Sequence, residues 1–133
     1  MIVVDTDIIA SMWVPNDMEE WVYKVLKKDD DWVAPLLWRS EFRNVLSIYL
    51  RKEFLKLSVV LQATEEAEQL MDTNEFDVNS TQVISLVSDS SCSAYDCEFV
   101  ALADDLNVKL VTFDKKIIRE FPNLAISPEE FVT

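Results

Sequence analysis

Three short apolar runs punctuate the chain: IVV at 2–4, WVAP at 32–35 and KLVTF at 109–113. Apolar runs this short, with little polar alternation, are the pattern of strands buried on both faces of a parallel sheet. The first and third each stop on an acid, Asp5 and Asp114. Around them, apolar residues recur three and four apart over 17–28, about 36–53, about 58–72, about 80–90 and 94–106, which is the spacing of one helix face. Strands alternating with helices predict an α/β sandwich around a parallel sheet. Pro15, Pro35, Pro122 and Pro128 all fall at junctions rather than inside a predicted helix, as a residue without an amide hydrogen requires. No repeat or linker interrupts the pattern, so a single domain over residues 1–133 is expected.

Composition narrows the chemistry. Hydrophobic residues make up 50% of the chain, enough for a core. No run approaches a membrane span, and the first residues lack the succession of a signal peptide, so a cytoplasmic protein without a membrane partner is expected. There is no histidine, which removes the commonest zinc ligand, the usual proton shuttle and the Ser-His and Cys-His nucleophile pairs. There is no glycine, which removes phosphate-cradling loops of the GxGxxG and P-loop kinds. Cys92 and Cys97 are spaced for neither a CxxC redox pair nor a structural zinc site and are expected to be small buried or half-buried thiols. Any catalysis falls to carboxylates, hydroxyls, lysines or a bound ion.

Four acids stand out by position. Asp5 and Asp114 end strands, and ligand crevices of open parallel sheets form beyond the carboxyl ends of strands. Asp96 lies on the stripe of Phe99, Val100, Ala103 and Leu106 in the 94–106 helix, so its carboxylate points toward the core. Glu41 runs along an edge flanked by Trp38, Val45 and Ile48. Each has an ordinary alternative. Asp5 and Asp114 suit turns or helix caps, Asp96 suits a capping box with Ser93, and Glu41 suits a surface pair with Arg39 or Arg43. Asp104 and Asp105, crowding a helix C-terminus, are expected in solvent. The joint pattern places Asp5, Glu41, Asp96 and Asp114 in one pocket within a few ångströms of one another. Carboxylates gathered so closely either rise in pKa or hold a cation. All-oxygen ligands select a hard ion, Mg²⁺ first and Mn²⁺ next, suited to phosphodiester hydrolysis.

These residues resemble a known family. The segments VVDTDII, SEFRNVL and SAYDCEFVALADDLNVKLVTFDKKI are similar, in order and spacing, to the signature segments of PIN-domain proteins of the VapC-like toxin kind. The resemblance covers essentially the whole chain. It implies a three-layer α/β/α Rossmann-like PIN fold with a central parallel sheet, usually a homodimer, cleaving RNA with Mg²⁺ or Mn²⁺ and held by a cognate antitoxin. The family's acidic quartet falls on Asp5, Glu41, Asp96 and Asp114, as catalytic and metal-binding residues. Thr112 matches a hydroxyl near that site, and Asn44 a polar companion of the glutamate. Asp7 stands where relatives often carry Asn and is expected to cap the following helix rather than act as a fifth acid. With no glycine before the strand at 109–113, Asn107 is expected to take the left-handed turn.

The charge complicates RNA binding. Twelve basic residues against 25 acidic ones leave a net charge of −13, which opposes a polyanion. The basic residues are not scattered, however. Arg39, Arg43, Arg51, Lys52 and Lys56 lie on or just past the Glu41 helix, and Lys115, Lys116 and Arg119 follow Asp114. Arg39, Arg43 and Lys115 are therefore expected to bind substrate, together with Thr112, which the resemblance implies. Two rivals stay open. The DTD at 5–7 fits an Asp-nucleophile phosphatase of the haloacid dehalogenase type. The apolar Phe42, Val45, Leu46 and Tyr49, with four tryptophans, fit a non-catalytic PIN-like interaction protein, although core packing accounts for most of the tryptophans.

Overall fold

Ile2, Val3 and Val4 are fully or almost fully buried and form β1 (Ile2–Val4), the middle strand of the molecule. The computed structural model describes all 133 residues. After β1 come α1 (Thr6–Ala10), α2 (Glu19–Lys28), β2 (Trp32–Pro35), α3 (Trp38–Arg51), α4 (Leu57–Leu70) and β3 (Glu75–Phe76). The chain continues through α5 (Ser80–Ser88), α6 (Ala94–Leu106), β4 (Leu110–Val111), α7 (Lys115–Glu120), β5 (Ala125–Ile126) and α8 (Pro128–Val132). The sheet has five parallel strands in the order β3-β2-β1-β4-β5. Helices cover it in a three-layer α/β/α sandwich, as expected. The chain runs outward from β1 to β2 on one side and β4 on the other, and that reversal opens a crevice beyond the carboxyl ends of β1 and β4.

The buried apolar surface explains the layers. α6 presents Cys97, Val100 and Leu102 among its buried residues and packs against β1, β2 and β4, with α5 against it. On α3 the buried stripe is Trp38, Phe42 and Leu46, at intervals of four. Phe42 meets Trp38 and Trp13 edge-on, with ring centroids 5.5 and 5.9 Å apart. The apolar face of α3 is thus largely core, and only Ile48 of its apolar residues is exposed. Trp32 and Trp38 are buried too, and both cysteines are buried free thiols. Asn107 closes α6 at φ 54°, the left-handed turn expected of it.

Five elements escape the sequence pattern: α1, β3, α7, β5 and α8 hold two to six residues each, too few to show a period. The 109–113 run narrows to a two-residue strand, after which Thr112 still donates its amide to Ile126 at 3.1 Å. No helix is long and apolar enough to cross a membrane.

Candidate active site

Asp5 leaves β1 in an extended conformation and caps α1, its Oδ1 accepting the Thr6 amide at 2.8 Å. Its Oδ2 accepts the Thr112 hydroxyl at 2.6 Å. That hydroxyl oxygen in turn accepts the Asp114 amide at 3.0 Å, and Asp114 Oδ1 caps α7 by accepting the amides of Lys116 and Ile117 at 2.9 and 3.3 Å. The capping alternative therefore holds for both strand-end acids, and it is also what fixes them at the crevice. Thr6 makes a further link: its hydroxyl donates to Glu41 Oε1 at 2.7 Å, joining the end of β1 to the first turn of α3. Asp96 occupies the first turn of α6, where its amide donates to Ser93 Oγ at 3.1 Å. The reciprocal bond of a capping box is not formed, so the Asp96 carboxylate is left to the cavity.

Asp5, Glu41, Asp96 and Asp114 line one cavity of about 640 Å³, together with Asp7, Thr6 and Asn44. No lysine or arginine lines it. The tighter expectation is corrected: no three acidic side chains stand close enough to hold an ion as a ready-made cage. Like charges repel without a cation between them, and the threonine bonds tie Asp5 and Glu41 to the walls. The donor chemistry still fits a hard divalent cation. The charged donors are all carboxylates, and no cationic side chain in the lining competes for them.

Electrostatics record the crowding. Burial pushes Asp5 up to about 7, against the bonds from Thr112 and Thr6, and the charges of Asp7 and Glu41 add to the rise. Glu41 is raised by burial, opposed by Thr6, and raised further by Asp96, Asp7 and Glu98. Asp7 rises through loss of solvation and then through Asp114, although the residue as a whole is exposed. Asp7 is therefore not the cap expected from sequence. Asp5 caps α1, and Asp7, one residue into the helix with no side-chain hydrogen bond, is a fifth acid of the cavity.

Two expected substrate contacts are also corrected. Arg39 lies outside the cavity. Its Nε and Nη2 grip Glu75 at 2.6 and 2.8 Å and its Nη1 meets Glu68, while Trp38 Nε1 donates to Glu75 at 2.7 Å. Thr112 is fully buried, so it positions Asp5 and Asp114 and does not touch a substrate. Arg43 and Lys115 are exposed and form no ion pair, and neither lines the cavity. Sequence reasoning missed Thr6, Tyr95 and Phe113 in the lining. Only Thr6 carried a signal, a hydroxyl directly after a strand-end acid.

These placements make separable predictions. Thr112→Val, which keeps the shape and loses the hydroxyl, is expected to cost about 1–3 kcal/mol of stability, and to raise the Asp5 pKa further; chemical denaturation and carboxyl NMR titration read the two effects. Arg39→Gln is expected to cost about 1–2 kcal/mol, by releasing Glu75 and Glu68. Calorimetric Mn²⁺ binding should be unchanged in that variant, and weakened binding would return Arg39 to the site.

The family model described as PIN domain matches residues 2–123. The chain is 25% identical over 126 residues to Ribonuclease VapC3 of Pyrobaculum aerophilum, covering 92% of this chain and 96% of that one. The crystal structure of PAE2754 from Pyrobaculum aerophilum superposes with TM-score 0.77 at 15% identity, over 98% of this chain and 92% of that one. FitAcB from Neisseria gonorrhoeae gives TM-score 0.77 at 16% identity, over 97% and 99% of the two chains. A structure of FitAB bound to an IR36 DNA fragment gives 0.72 at 18%, over 96% and 95%.

Proposed function

The chain belongs to the PIN-domain family, and on that premise we propose that it is an endoribonuclease dependent on Mg²⁺ or Mn²⁺, the toxin of a type II toxin-antitoxin pair. The observation that carries the reading is the convergence of five carboxylates, from the β1–α1 junction, α1, α3, α6 and the β4–α7 junction, on one cavity without a basic residue. The named relative, a ribonuclease, supports RNA as the substrate. Asp5, Glu41, Asp96 and Asp114 hold the ion directly or through water, with Asp7 at the periphery. When bound, the ion polarises a phosphoryl oxygen and lowers the pKa of water. The chain's own residues do the holding. Thr112 and Thr6 fix Asp5, Thr6 fixes Glu41, and the exposed Arg43 and Lys115 receive flanking phosphates. The protein acts in the cytoplasm as a homodimer, with a cognate antitoxin as partner.

The test is incubation of purified protein with total RNA, with and without Mn²⁺. Discrete Mn²⁺-dependent fragments are expected from the wild type, and intact RNA under both conditions would defeat the reading. The missing ready-made cage favours one second reading, a PIN-like interaction protein without catalysis. Calorimetry with Mn²⁺ separates the two, since a working site binds the ion and a relic does not. The family match leaves the phosphatase alternative without support.

A further inference from the structure

Beside the carboxylate cavity lies a second hollow of about 330 Å³, and Asp7, Val45 and Phe113 form a wall common to both. Beyond that wall the chemistry changes. Six of the nine lining residues are hydrophobic, Tyr49 and Phe113 being the aromatic ones. Asn16 and Ser11 are already engaged with the protein, which leaves the Asp7 carboxylate of the shared wall and the Tyr49 hydroxyl as the free polar groups. Asn16 donates to Ser11 Oγ and to the Val14 carbonyl, both at 3.0 Å, and accepts the Met18 amide at 2.7 Å. Ser11 Oγ donates to the Asp7 carbonyl at 2.8 Å. No basic residue lines the hollow, so nothing in it recruits an anion. What fits is a neutral, flat, largely apolar group at the small end of ligand-sized sites.

We propose that this hollow is a slot for one unstacked nucleobase of the RNA, held against Tyr49 and Phe113 while the adjoining phosphate enters the carboxylate cavity. The inference rests on the ribonuclease reading and adds to it a site for a base beside the phosphate. With a net charge of −13 and no lysine or arginine in either lining, the phosphate attraction that dominates most nucleic-acid binding is scarce here. Stacking on aromatic side chains supplies affinity that needs no charge. A base paired in a duplex cannot enter such a slot. Entry therefore requires one base swung out of its stack.

The experiment begins without metal or phosphate. Adenosine and uridine are titrated into isotope-labelled protein, and amide chemical shifts are followed. Saturable shifts are expected at Ala10, Val45, Tyr49 and Phe113, with none from ribose alone. Met18→Trp, which fills the hollow, and Tyr49→Ala, which removes an aromatic wall, should each weaken nucleoside binding roughly fivefold or more. A second arm measures Mn²⁺-dependent cleavage of a hexanucleotide carrying one abasic site, moved position by position. One position should lose roughly tenfold in kcat/KM. The slot is overturned by an absence of saturable shifts, by equal shifts from ribose, or by shifts from N-acetyl-phenylalaninamide alone, which would make the hollow a peptide dock. The two readings fail separately. Cleavage indifferent to every abasic position removes the slot and keeps the nuclease, whereas nucleoside binding without RNA cleavage removes the nuclease and keeps the slot.

Discussion

Asp96→Asn is expected to lower Mn²⁺-dependent RNA cleavage by roughly a thousandfold or more while shifting the melting temperature by no more than about 2 °C. The separation arises because the two roles of the residue use different atoms. Its backbone amide, which any side chain leaves in place, donates to Ser93 Oγ and starts α6. Its carboxylate makes no hydrogen bond to the protein and faces the cavity, where its charge raises Glu41. Asparagine keeps the volume and removes the charge. The helix loses a favourable anion near its N-terminus, worth about 0.3–1 kcal/mol, and Glu41 gains by a similar order from the relief of repulsion. Stability is therefore nearly unchanged, whereas an ion held by a handful of oxygen ligands loses one charged ligand outright. Fragment formation across a Mn²⁺ titration, with calorimetric melting of the same samples, checks both halves. Cleavage that recovers fully at saturating Mn²⁺ would show that Asp96 supplies affinity only. Cleavage undiminished at every Mn²⁺ concentration would remove it from the site.

The sequence reveals an element where a period has room to repeat. α3, with 14 residues, and α6, with 13, are legible, and so are the apolar β1 and β2. Strand-end acids are legible for a topological reason, since the crevice of a parallel sheet is fixed by the direction of its strands. Partners distant in sequence are not legible. Arg39 meets Glu68 and Glu75 at separations of 29 and 36 residues, and no local pattern shows that these acids arrive from the other side of α3 and draw the guanidinium away from the cavity. Asp5 and Asp7 are equally good caps on paper. The extended backbone at Asp5 decides between them, and it follows from where β1 stops. The acids converge as the sequence indicates, yet their spacing is set by hydroxyls, Thr6 and Thr112, whose bonds appear only once β1, α3 and β4 are assembled. The wall shared by the two hollows is less visible still, because Asp7, Val45 and Phe113 come from three separate parts of the chain.

The metal-free protein is expected to lose stability as pH rises from about 4 to about 7, by up to about 4 kcal/mol. The ordinary Asp5 carboxyl releases its proton near 3.8, whereas the folded one holds it to about 7. Between those values the folded state binds more protons than the unfolded state, so stability falls with rising pH. This contribution is fully present below about 3.8 and is lost by about 7. Asp7 and Glu41, raised mainly by burial, act in the same direction. Glu75 acts in the opposite one, because Arg39 holds its carboxyl below the ordinary value and that stability is lost as acid protonates it. The maximum therefore lies in mildly acidic solution. Asp5→Asn removes the Asp5 share of the descending limb and leaves that of Asp7 and Glu41, since its Oδ1 can still accept the Thr6 amide and Thr112 can turn its oxygen toward the new amide group. The variant should match the wild type near pH 4 and exceed it near pH 8 by up to about 4 kcal/mol. Saturating Mn²⁺ should restore the wild type near pH 8 and leave the variant largely unaffected, because only the wild type has the Asp5 charge to neutralise. Urea denaturation across this range, in chelator and in Mn²⁺, measures all three effects. Parallel pH profiles for the two proteins in chelator would mean that Asp5 is not the buried charge that limits stability.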